Sequence, residues 1–104
     1  MNIFNNMALV GLLSVTCASS LALASPQFNI RAYCRQVGDV VGGSAMIEAT
    51  CREQEAEALR EIGRMRASAR AMRYCTEVAK VTGGSYQILQ SCLEQETTAE
   101  QQLD

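Results

Sequence analysis

The chain carries one disulfide-ready module twice, and this repeat constrains its fold more than any other feature. Tyr33-Cys34 leads through Gly42-Gly43-Ser44 to Cys51 and Glu53-Gln54-Glu55. The same order returns at Tyr74-Cys75, Gly83-Gly84-Ser85, Cys92 and Glu94-Gln95-Glu96. The offset is 41 residues without a gap, and 12 of the 23 aligned positions in 33–55 and 74–96 are identical. A fixed period of this kind marks one supersecondary unit used twice.

Each cysteine pair is centred on its own Gly-Gly. Cys34 lies eight residues before Gly42, and Cys51 lies eight after Gly43. If both arms are helices, each cysteine sits ~12 Å from the turn at about 1.5 Å per residue. Antiparallel helices with axes ~8–10 Å apart then leave roughly 4–5.5 Å between facing Cα atoms. A disulfide needs about 4.4–6.8 Å. Glycine suits a left-handed helix stop, and Ser44 and Ser85 suit the N-cap of the returning helix.

The arms repeat with a helical period. Ile30, Tyr33, Cys34, Val37, Val40 and Val41 share a face, as do Ile47, Cys51, Ala58 and Ile62, with polar Gln54 interrupting. The run 53–73 is rich in Ala, Glu and Arg and favours helix. These patterns predict an all-α fold of two disulfide-stapled helical hairpins, 31–56 and 72–97, joined by a long or bent central helix.

Between Ser44 and Thr82 there is no proline and one glycine, Gly63. Either one helix runs through, ~58 Å long, or the chain bends near Gly63 into four helices. The stripe Ile47, Cys51, Ala58, Ile62, Met65, Ala69, Met72 passes Gly63 without a phase break, which favours a continuous or gently bent helix. An exposed stripe on such a helix would need a partner and points to a homodimer. The polar end, 97–104, is expected to fray.

Residues 7–24 are uncharged and apolar and end in Ala22-Leu23-Ala24, a pattern that suits signal peptidase. The expected division is a signal peptide over 1–24 and a single small domain over 25–104. The first six residues contain no Lys or Arg, so only the terminal amine supplies the usual positive charge. Cleavage would remove Cys17 and leave four cysteines in a periplasmic or secreted location that permits disulfides. Four cysteines allow three connectivities. The symmetry of the module favours Cys34–Cys51 with Cys75–Cys92. A domain this small is helped by such staples, each worth on the order of 3 kcal/mol.

Charge and composition narrow the function. The formal charge of −2 argues against a strongly basic nucleic-acid binder. The cysteines lie too far apart for ordinary zinc ligation, and the chain has no histidine. No Cys-x-x-Cys marks a redox enzyme. Without histidine there is no ordinary Ser-His or Cys-His pair. Glu53 and Glu55 lie two apart on a helix, point to different sides and read as a solvated face. No metal, cofactor or catalytic activity is expected.

The binding candidates are Arg66, Arg70 and Arg73, which share a helix face at i, i+4 and i+7 and could hold an anionic surface. Glu53, Glu55, Glu57 and Glu61 would balance the charge cluster of Arg60, Arg64, Arg66, Arg70 and Arg73. Tyr86 stands where the first module has Ala45 and is a candidate exposed contact. If Tyr86 and Leu89 point inward instead, the second hairpin buries more apolar area than the first. Gln54-Glu55 and Gln95-Glu96 either brace the hairpins or mark a surface present twice.

The module Tyr-Cys-x-x-Val…Gly-Gly-Ser-x-x-Ile-x-x-x-Cys-x-x-Gln-Glu resembles one in short exported bacterial proteins without assigned function. The resemblance implies an envelope or secreted location and brings no catalytic residue. The expected function is a binding or interaction module acting on an envelope or extracellular protein. The alternative is a secreted membrane- or host-active protein using the arginine face with the Met65/Met72 stripe.

Overall fold

The computed structural model describes residues 25–103, and all regular structure among them is helical. Four helices follow in order: α1 (Ile30–Val40), α2 (Ala45–Arg64), α3 (Ala69–Val81) and α4 (Tyr86–Gln102). The expected signal peptide and Cys17 lie outside the described residues. No helix among the described residues is long and apolar enough to cross a membrane.

Each helix begins the same way. Asn29, Ser44, Ser68 and Ser85 are extended, and each side-chain oxygen accepts the backbone N–H three residues on. Each cap satisfies one of the donors that a helix start leaves unpaired. The two hairpin turns also share their chemistry. Gly42, Gly43, Gly83 and Gly84 have φ of 91°, 87°, 98° and 91°, which side-chain-bearing residues adopt only under strain. That geometry returns the amide of Gly43 to the carbonyl of Gly38 at 2.9 Å and that of Gly84 to Ala79 at 3.0 Å. Orphan carbonyls at both helix ends are thereby satisfied.

The disulfides join α1 to α2 through Cys34–Cys51 and α3 to α4 through Cys75–Cys92. Their Cα separations, 5.5 and 5.6 Å, fall at the upper edge of the range expected from helix spacing. The stapled hairpins are therefore present as the module spacing predicts.

The central segment follows the second alternative, a bend close after Gly63 into four helices, and not the favoured continuous helix. α2 ends at Arg64, and Met65 is extended with ψ 155°. Residues 65–68 form a short connection, so the helix is not continuous. Gly63 itself stays helical and is not the break. The cause lies just beyond it: Ser68 caps α3, and Met65 and Ala67 turn into the core. Of the stripe that looked continuous, Ala58, Ile62, Met65 and Met72 face one core, whereas Ile47 and Ala69 are exposed.

The bend lets α2 pack along α4, so the hairpins lie against each other. The core gathers Ala58 and Ile62 of α2, Ala71, Cys75 and Ala79 of α3, and Tyr86, Leu89 and Leu93 of α4. It therefore sits between the second hairpin and the far half of α2. The first hairpin alone buries little beyond Cys34, Gly38 and Cys51. The C-terminal stretch also departs from expectation. α4 continues to Gln102, and Glu100 accepts a 2.8 Å hydrogen bond from the Ser68 hydroxyl. That contact ties the last turns to the connection instead of leaving them frayed.

Candidate functional site

Glu55 lies in the third turn of α2 and is fully buried. Its carboxylate reaches across to the second hairpin's turn. Ser85 Oγ donates to it at 2.6 Å, the Tyr86 amide at 2.5 Å and the Gln87 amide at 3.4 Å. A carboxylate at a helix N-terminus meets free N–H donors and the positive end of the helix dipole. Glu55 thus caps α4 from another element. The solvated face expected for it is incorrect: Glu55 follows Cys51 and precedes Ala58 and Ile62 on the buried stripe. The stripe is interrupted by Glu55 and not by Gln54, which is exposed; the polar gap between Cys51 and Ala58 was the available signal.

Other contacts complete this seat. A Cβ on Gly83 would lie 3.5 Å from both the Tyr33 ring and Gln36 Oε1, and one on Gly84 would lie 3.1 Å from the Phe28 ring. At Gly83 the spacing is ordinary van der Waals contact, whereas at Gly84 a side chain would crowd the Phe28 ring. Phe28 and Tyr86 stack at 5.0 Å between centroids with a 44° tilt. The Tyr86 hydroxyl accepts from the Phe28 amide at 2.8 Å and donates to the Pro26 carbonyl at 3.0 Å. Tyr86 is therefore buried and fully engaged, which corrects its reading as an exposed contact. Leu89 is buried as well, so the second hairpin does bury the larger apolar set.

Over each disulfide lies a shallow groove, and the two grooves correspond position by position. The first is walled by Tyr33, Val37, Ile47, Thr50, Cys51 and Gln54, and the second by Tyr74, Val78, Ile88, Ser91, Cys92 and Gln95. They enclose about 250 and 300 Å³. Met46 and Gln87 also border the first, and Glu96 borders the second. Aromatic and β-branched walls with side-chain amides and hydroxyls at the rim suit an apolar side chain flanked by polar backbone. Sequence alone marked these residues as repeated but could not bring them to one surface.

The arginines divide into two groups. Arg60 pairs with Glu57 and Arg64 with Glu61 on α2, and Arg52 pairs with Glu48. The Arg60 guanidinium hydrogen-bonds Glu57 and holds its carboxyl below the usual range. Among the described residues no ion pair engages Arg66, Arg70 or Arg73. These three do not form the expected single face. Arg66 lies in the connection, at the rim of a hollow shared with Ser25 and Met72, whereas Arg70 and Arg73 lie on α3. The helix break removes the i, i+4, i+7 register that would have aligned them.

All four described cysteines are oxidised in pairs. Among the described residues no cluster of His, Cys, Asp and Glu could hold a metal ion. No family model, curated protein or solved structure matches the chain.

Proposed function

We propose that this chain is an exported binding module of the cell envelope or the extracellular space, and that it binds through the groove over each disulfide. The two disulfides point to an oxidising environment outside the cytoplasm. The observation that carries the reading is the duplication of the groove: six wall positions recur at a 41-residue offset, several of them only partly buried. Packing alone does not require an aromatic, a β-branched residue and an amide to return together around a half-open surface. The walls complement a polypeptide segment that presents an apolar side chain.

Peptides selected from a random displayed library against the oxidised protein, then titrated calorimetrically, test this reading. Two binding sites per chain are expected, and Tyr33→Ala or Tyr74→Ala should each leave one. Failure to select any peptide, or binding indifferent to both tyrosines, would remove the proposal.

The alternative, a membrane- or host-active protein, has less support. Met65 and Met72, its apolar half, pack against the core, and Arg66 is separated from Arg70 and Arg73. Retained binding to anionic vesicles that is lost on Arg70→Ala/Arg73→Ala would revive it.

A further inference from the structure

The contact between the two modules has a direction. The second module's turn supplies donors, through Ser85 and the amides of Tyr86 and Gln87, and the first module's seat supplies the Glu55 carboxylate and the Tyr33 ring. Each module, however, contains both a turn and a seat. The first module's turn and the second module's seat therefore have no counterpart within the described residues.

Both are open. Gly42 and Gly43 are exposed, and a Cβ on either would meet nothing within 4 Å. The Ser44 hydroxyl accepts from Ile47, but among the described residues it donates to nothing, whereas Ser85 does both. At the seat, Tyr74 is 56 % exposed and no hydrogen bond among the described residues engages Glu96. Around the bare turn, Val41 and Met46 stand exposed where the second module carries Thr82 and Gln87. Gln87 borders the first groove, so the corresponding Met46 would offer the second groove an apolar side chain.

We propose that a second copy of this chain docks its Gly42-Gly43-Ser44 turn on the Tyr74–Glu96 seat, repeating the internal contact between molecules. The proposal rests on the binding reading above and names the partner of the second groove. The Glu96 carboxylate meets the Ser44 hydroxyl and the amides of Ala45 and Met46, and Met46 enters the groove. Ala69 and Ala45 stand where Phe28 and Tyr86 form the internal aromatic pair, so the contact is weaker than the internal one and reversible. Because turn and seat are different surfaces, the association is head-to-tail.

Sedimentation velocity on the oxidised native protein, from micromolar to millimolar concentration, tests it. The wild type is expected to associate reversibly. Glu96→Gln and Met46→Glu should each weaken association at least tenfold, the second by placing an acid beside Glu96. Both positions lie outside the buried core, and Glu in the first turn of a helix favours folding. Mixing the two variants should restore one intact contact per pair, because each retains the surface the other lacks. A wild type that stays monomeric, variants that associate as it does, or a mixture no better than its components would each overturn the proposal. Peptide binding at the Tyr33 groove, read on Glu96→Gln because Met46 borders that groove, reports separately on the binding reading.

Discussion

Glu55 and Glu96 occupy the same place in the repeat and have opposite surroundings. Glu55 is buried and accepts from Ser85, Tyr86 and Gln87, whereas Glu96 is partly exposed. Removing an acceptor from buried donors costs about 1–3 kcal/mol, and more when the lost bond was to a charged group. Glu55→Ala is therefore expected to destabilise the oxidised protein by at least about 2 kcal/mol in urea unfolding. Glu96→Ala, measured on dilute protein, should stay within about 0.5 kcal/mol of wild type. Equal effects would mean that the cap on α4 contributes little. The sequence offered a partial signal, since Gln54-Glu55 repeats beside a disulfide and could brace a hairpin. It could not show that Glu55 braces the other hairpin, because that requires α2 to lie along α4.

At the scale of the elements, the two hairpins share a staple and differ in what they bury. Tyr86, Leu89 and Leu93 fill the second, whereas Ala45 and Glu48 stand where Tyr86 and Leu89 would be in the first. A loop of this size gains on the order of 3 kcal/mol from its disulfide. The first hairpin, with less apolar area, depends on that contribution more. Cys34→Ser/Cys51→Ser is expected to lower amide protection across α1 and the start of α2. Cys75→Ser/Cys92→Ser should leave α3 and α4 better protected. Hydrogen exchange on the two double variants decides this, and greater loss in the second hairpin would contradict it. The hairpins were legible because Gly-Gly, Ser and Cys act over short, fixed spacings. The helix start at Ser68 had a signal too, a serine before an Ala-rich run, but the unbroken stripe obscured it.

For the molecule as a whole, the short connection at 65–68 determines whether the hairpins share a core. A straight central helix would have held them apart, each melting by itself. The bend instead places Ala58 and Ile62 against the second hairpin, with Met65 and Ala67 packed on the same cluster. The oxidised protein is expected to unfold in one transition, with calorimetric and van't Hoff enthalpies equal at low concentration. Two resolved transitions would mean that the hairpins fold independently. The sequence by itself determined the helical class, the two turns and the pairing of the cysteines, all set by periodicity and local spacing within about twenty residues. Only the tertiary structure decided that Glu55 is buried, that Tyr86 is core and that the arginines are split. Those outcomes depend on which helix faces cross between modules, and a helical period records that a face is apolar without recording what covers it.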